Sequence, residues 1–266
     1  MQLLFAASEL SPLVKTGGLA DVAGSLPGAL ARLGTDVRVV IPGYRGIVEQ
    51  LDQVTRAGAL SIPGATHPVT LTTGRINGED PLLIVVESNE LYNRDGGPYI
   101  TAQGHDHWDN PNRFAVFSRA ISALALGQGM DGWMPQVVHC NDWQTGLAPA
   151  LLMREQHRPA TLFTIHNLAY QGVYDSATFA KLMLPADLWA MDKLEFHGNF
   201  SFIKGGIAMA DVVTTVSSTY ASEICTPAFG YGLEGLLSFR EDRLFGVLNG
   251  IDTEVWNPEQ DPHLQH

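Results

Sequence analysis

The feature that most constrains this chain is a set of short apolar runs that are continuous rather than alternating. Gln2–Ala7, Asp36–Pro42, Gln136–Cys140, Ala160–Ile165 and Asp211–Val216 each read as a strand. A strand apolar on both faces must be covered on both faces, which is the signature of a parallel sheet. Between these runs the apolar spacing changes to that of a helix. Leu19, Val22, Leu26, Leu30 and Leu33 fall on one face of Leu19–Leu33, with Pro27 expected to kink it. Pro111–Leu126, Trp143–Arg154 and Phe202–Met209 are the other predicted helices. Val69–Thr73 and Leu82–Glu87 read as further strands, with Asn77-Gly78 supplying turn chemistry between them. The alternation predicts an α/β fold: a doubly wound, mostly parallel, Rossmann-like sheet.

Composition narrows the function. Apolar residues make up 45% of the 266, enough for a sizeable core. No run of about 18 apolar residues exists, so no membrane partner is expected. The formal charge of −12 argues against a nucleic-acid partner, which needs clustered Lys and Arg. Cys140 and Cys225 are the only cysteines and lack metal-ligand spacing. Two cysteines in so long a chain fit a reducing, cytoplasmic setting.

Chemistry-bearing residues gather where predicted strands end. After the first strand comes Glu9-x-x-Pro12-x-x-Lys15-x-Gly17-Gly18-Leu19. Two glycines allow close backbone approach, the following helix offers free N–H groups to an anion, and Lys15 adds a cation. Neither the dinucleotide G-x-G-x-x-G nor the Walker pattern is present. A flexible turn with a solvated lysine has about equal standing on spacing alone, and the plain alternative for Asp21 is a first-turn carboxylate favoured by the helix dipole. A second strand ends in His139-Cys140-Asn141-Asp142-Trp143-Gln144-Thr145-Gly146, where Asp142 could serve as a helix N-cap. A third ends in Thr164-Ile165-His166-Asn167-Leu168-Ala169-Tyr170-Gln171-Gly172. His166, Asn167 and Gln171 are able to hold sugar hydroxyls, although a lone strand-end histidine is more often structural. The crowded His105, Asp106, His107 and Asp109 fit a solvated loop better than a metal site.

These strings resemble glycogen and starch synthases. Lys15-Thr16-Gly17-Gly18-Leu19-Ala20-Asp21-Val22 is similar to the K-T-G-G-L-A-D-V signature near the start of that family. The stretch around Asp142 resembles its H-x-x-D-W-x-x-G motif, and Thr164–Gly172 its T-[IV]-H-N-L-A-Y-Q-G motif. Tyr92-x-Arg94, Gly97-Pro98-Tyr99 and Asp109-Asn110-x-x-Arg113-Phe114 resemble a segment lining the acceptor channel. Lys204-Gly205-Gly206-Ile207, Thr214-Thr215-Val216-Ser217, Gly230-x-Gly232-Leu233-Glu234-Gly235 and Leu248-Asn249-Gly250-Ile251-Asp252 followed by Trp256-Asn257-Pro258 continue the likeness.

The resemblance implies the N-terminal half of a GT-B retaining glucosyltransferase that moves glucose from ADP-glucose, or UDP-glucose, to the 4-hydroxyl of an α-1,4-glucan. It implies His166 and Asp142 as catalytic residues. Glu9, Lys15, Gly17, Gly18, Asp21, Tyr92, Asn167, Gln171 and Asn249 are implied as substrate-binding, although Asn249 reads equally as a turn residue before Gly250. Neither metal nor cofactor is implied. Residues 1–255 form the expected catalytic domain and 256–266 the start of a linker to a missing C-terminal nucleotide-binding domain, so the fragment alone should fold yet be nearly inactive. That missing domain would supply the cations this acidic half lacks for a diphosphate. The alternatives are a nicotinamide dehydrogenase, a non-enzymatic glucan-binding module, and another GT-B enzyme such as a sucrose or trehalose-phosphate synthase.

Overall fold

The computed structural model describes residues 1–251 and 257–259. The expected linker over 256–266 and the Asp252 to Trp256 stretch otherwise lie outside the described residues. In chain order the elements are β1 (Gln2–Ala6), α1 (Gly18–Arg32), β2 (Asp36–Pro42), β3 (Asp52–Leu60), β4 (Val69–Ile76), β5 (Glu79–Glu87) and α2 (Asn110–Ala125). There follow β6 (Val137–Asn141), α3 (Leu147–Leu152), β7 (Ala160–Ile165), β8 (Val173–Tyr174), α4 (Ser176–Lys181), β9 (Glu195–Phe196) and β10 (Asn199–Ser201). The last are α5 (Phe202–Met209), β11 (Val212–Thr215), α6 (Ser218–Glu223), α7 (Glu234–Phe239) and β12 (Leu244–Gly246).

One nine-stranded sheet has the order β12-β11-β7-β6-β1-β2-β5-β4-β3. The pairings from β12 through β5 are all parallel, and only β4 runs against its neighbours. The doubly wound expectation therefore holds. Leu4, Phe5, Val39, Val40, Ile84, Val85, Val138, Phe163 and Val213 are fully buried, as two-sided coverage demands. The β4–β5 hairpin turns at Asn77 and Gly78, both at positive φ, which this tight turn requires.

Some expectations need correction. Strand β3 is absent from the sequence reading, because its first five residues are exposed and carry no apolar alternation. It is an edge strand, and its bulged register against β4 blunts that edge. The small β8-β10-β9 sheet is too short to leave a pattern. Pro27 lies inside α1, which nevertheless runs unbroken to Arg32. The helix expected over Trp143–Arg154 is two pieces, a 3-10 turn over Trp143–Thr145 and then α3. The break falls at Gly146, where a Cβ would stand 2.2 Å from the Phe202 carbonyl oxygen. The backbone of α5 therefore crosses Gly146 too closely for any other residue.

The order places β1 at a topological switch point. The chain leaves β1 toward β2 on one side, while β6 and β7 lie on the other. Connections on the two sides diverge there, opening a crevice at the carboxyl ends of the strands.

Candidate functional site

Asn141, the last residue of β6, ties three strand ends together. Its Nδ2 donates to the Ala6 carbonyl on β1 at 3.1 Å and to the His139 carbonyl at 3.4 Å. Its Oδ1 is thereby left as the acceptor for His166 Nε2, just past β7, at 3.0 Å. His166 must donate from Nε2, so its Nδ1 carries the free lone pair. Burial pushes the imidazole pKa down to about 4, which keeps it neutral near pH 7.

Asp142 follows at φ +56°, ψ 178°, a conformation a non-glycine residue adopts only under constraint. The constraint is visible. Asp142 N–H donates to the Thr164 carbonyl at 2.9 Å, and its Oδ1 accepts from His166 N at 2.8 Å and Asn167 N at 3.4 Å. The N-cap reading of Asp142 is thus corrected: its side chain caps nothing in its own turn and instead reaches across to the loop after β7. Burial pushes the carboxyl pKa up to about 7, the two N–H bonds oppose this, and the nearby Glu9 charge adds to it. Behind Asp142, Trp143 packs edge-on against Phe114 and Phe202 at 4.9 and 5.7 Å between centroids. Gly172, at φ +58°, brings the returning loop against the indole, where a Cβ would lie 2.4 Å from the ring.

The loop after β1 is held from within. Glu9 is 4% exposed, and its carboxylate accepts from Thr16 N (2.6 Å), Thr16 Oγ1 (2.5 Å), Gly17 N (3.2 Å) and Tyr99 Oη (2.7 Å). Glu9 therefore shapes the loop, and the Gly17 N–H is already engaged. Among the described residues the N–H groups of Gly18 and Leu19 have no recorded partner, so they form the open N-terminus of α1. Lys15 Nζ pairs with Asp21 Oδ1 at 2.7 Å, both side chains about half exposed.

The remaining sequence candidates are placed as follows. Asn167 Oδ1 accepts from Ala169 N at 3.0 Å, which shapes the loop. Gln171 Nε2 donates to the Tyr231 carbonyl at 3.1 Å, tying that loop to the segment before α7. Asn249 is exposed and follows β12, the strand two places from β7 in the sheet. Tyr92 is 1% exposed, its hydroxyl donates to the Arg113 carbonyl at 2.8 Å, and it borders a small hollow with Arg94 and Arg113. The loop expected to be solvated is also partly buried. Asp109 is 7% exposed and grips Arg94 through both oxygens at 2.6 Å, while His107 Nε2 lies 3.2 Å from the Gly97 carbonyl. Asn141 and Tyr99 are the contributors that sequence reasoning missed. Both stood inside quoted strings, but nothing in their spacing marked them off from their neighbours.

Comparison with known proteins shows the family. Residues 2–239 match the family model described as starch synthase catalytic domain. The chain is 52% identical over 267 residues to a glycogen synthase of Thioalkalivibrio sulfidiphilus, covering 99% of this chain and 55% of that protein. It is 50% identical over 264 residues to a glycogen synthase of Cellvibrio japonicus, covering 98% and 54% respectively. The chain thus spans about half the length of the curated relatives it matches. Among solved structures it is similar to the catalytic domain of starch synthase IV from Arabidopsis thaliana, bound to ADP and acarbose. That match has a TM-score of 0.83 and 30% identity over 99% of this chain and 54% of the other. A sucrose-phosphate synthase from Thermosynechococcus elongatus shares the fold at a TM-score of 0.50 and 15% identity, over 97% of this chain and 50% of the other.

Proposed function

Because the chain belongs to the starch synthase catalytic domain family, we propose that it is the N-terminal half of a glucosyltransferase that extends α-1,4-glucans from ADP-glucose. The observation that carries this reading is the Ala6–Asn141–His166 tie with Asp142 bonded across it, which gathers the ends of β1, β6 and β7 around one crevice. A diphosphate is an anion in a chain of net charge −12, so it must be met locally. The free Gly18 and Leu19 N–H groups and the positive end of α1 meet it, and Lys15 joins them by exchanging Asp21 for a phosphate oxygen. Negative charge that develops on the leaving diphosphate is stabilised by these fixed donors.

In this reading the glucose lies between that loop and His166. The Nδ1 lone pair accepts a sugar hydroxyl, and the unshared Asp142 oxygen faces the positive charge that develops at the anomeric carbon. The acceptor 4-hydroxyl attacks from the face the diphosphate vacates, so configuration is retained. ADP-glucose is preferred to UDP-glucose because the similar starch synthase structure holds ADP. The nucleotide pocket and most of the cations belong to the second half, so residues 1–266 alone fold but transfer little glucose. A cytoplasmic site completes the proposal, supported by the free cysteines Cys140 and Cys225.

The test is glucose transfer from labelled ADP-glucose to glycogen by the full-length protein and its Lys15→Gln variant. Loss of one charged contact to phosphate should raise the donor KM about tenfold. An unchanged KM would remove Lys15 from the site, and no transfer by the full-length protein would remove the reading.

A further inference from the structure

A second hollow, about 120 Å³, lies between the Leu13–Val14 segment, Tyr44–Arg45 and the stretch from Tyr92 to Pro98. Val14, Tyr44, Arg45, Arg94, Gly97 and Arg113 line it. The reading of the donor site uses none of these groups.

Two features of its wall are incomplete. Arg113 is 1% exposed, and its Nε and Nη1 donate to the carbonyls of Leu91 (2.7 Å) and Pro98 (2.8 Å) and to Asn110 Oδ1 (2.7 Å). Among the described residues it has no carboxylate partner, and its Nη2 has no recorded acceptor. Tyr44 is 9% exposed, and its hydroxyl is buried without a partner. A buried charge and a buried hydroxyl are both costly when left unpaired.

The local charge balance has a sign. Arg45 pairs with Asp95 at the rim and Arg94 with Asp109 inside, while Arg113 feels the Asp109 charge and three aromatic rings but, among the described residues, bonds to no carboxylate. Glu9, a carboxylate whose field reaches Tyr44, is already engaged by Thr16, Gly17 and Tyr99. Water alone would satisfy Tyr44 but leave the Arg113 Nη2 without an anionic acceptor.

We propose that this hollow binds a small oxyanion of the phosphate class, held by Arg113, Arg45 and the Tyr44 hydroxyl. The hollow suits orthophosphate rather than a nucleotide in size. Val14, which closes one wall, immediately precedes Lys15 and bridges back to Leu10, so the bound anion braces the approach to the glycine loop. This inference stands apart from the proposed activity.

Orthophosphate is titrated against the purified protein at constant ionic strength and followed by phosphorus-31 line broadening. Saturable binding is expected. Tyr44→Phe keeps the ring that packs the core and should weaken binding about tenfold, Arg45→Gln should weaken it about threefold, and Lys15→Gln should leave it unchanged. Competition by a hexose monophosphate, weakened equally by Tyr44→Phe, would support the site and show that a sugar can project from its mouth. Absence of saturable binding would overturn the proposal. So would binding lost in Lys15→Gln and untouched in Tyr44→Phe, which would assign the anion to the start of α1.

Discussion

Asp142 is the residue whose chemistry the fold alters most. Burial raises its pKa to about 7 from the usual carboxylate range near 4. Between those values the folded protein holds a proton that the unfolded chain has released. Its contribution therefore favours folding at low pH and is lost as pH rises through about 7. Asp142→Asn keeps an oxygen for the His166 N–H but carries no charge. It should stabilise the protein at pH 8 by about 4 kcal/mol and by well under about 1 kcal/mol at pH 4, as read from urea midpoints. The same substitution tests function: kcat/KM for glucose transfer should rise through about pH 7 in the parent protein, and Asp142→Asn should lose that rise. A pH profile identical in both would show that Asp142 carries no charge in the reaction. The residue types needed here were legible in the sequence. The strained Asp142 backbone, the tautomer of His166 and the engagement of Glu9 with Gly17 were not, because each depends on a partner 8 to 25 positions away.

At the scale of elements, the parallel strands and the long helices were legible because they are buried on predictable faces. Ala160–Ile165 and Phe202–Met209 match the sequence reading end to end. What was not legible is set by contacts between elements. The division of the expected Trp143–Arg154 helix follows from α5 crossing at Gly146, and the family-like Lys204-Gly205-Gly206 string turns out to be part of the same packing. Cβ atoms at Gly205 and Gly206 would meet Leu194 and the Phe163 ring at 2.4 Å, and Lys204 Nζ donates to the Met191 carbonyl at 2.6 Å. These glycines let α5 lie against the sheet and the Trp143 turn. Gly146→Ala presses a methyl against backbone that cannot rotate away, and should cost about 3 kcal/mol in urea unfolding. A cost below about 0.5 kcal/mol would mean that the crossing is looser than the structure has it.

At the scale of the whole molecule, the winding of the sheet does what no single motif does. The Lys15–Asp21 loop, Asp142 and His166 are far apart in the chain, and strand order alone makes the ends of β1, β6 and β7 neighbours. That order could be expected as a class from the alternation of strands and helices, but which strand ends meet is fixed only by the crossovers. Tyr92 sits in a family-like string, yet burial of its side chain could not be read from that string. The central claim is that the three strand-end loops form one donor site, and amide hydrogen exchange of the full-length protein with and without ADP-glucose tests it most directly. The donor should slow exchange at Gly18 and Leu19 and, in the same titration, at His166 and Asn167, while the edge strand β3 stays unchanged. Protection confined to one of these loops, or spread evenly over the sheet, would contradict a shared site.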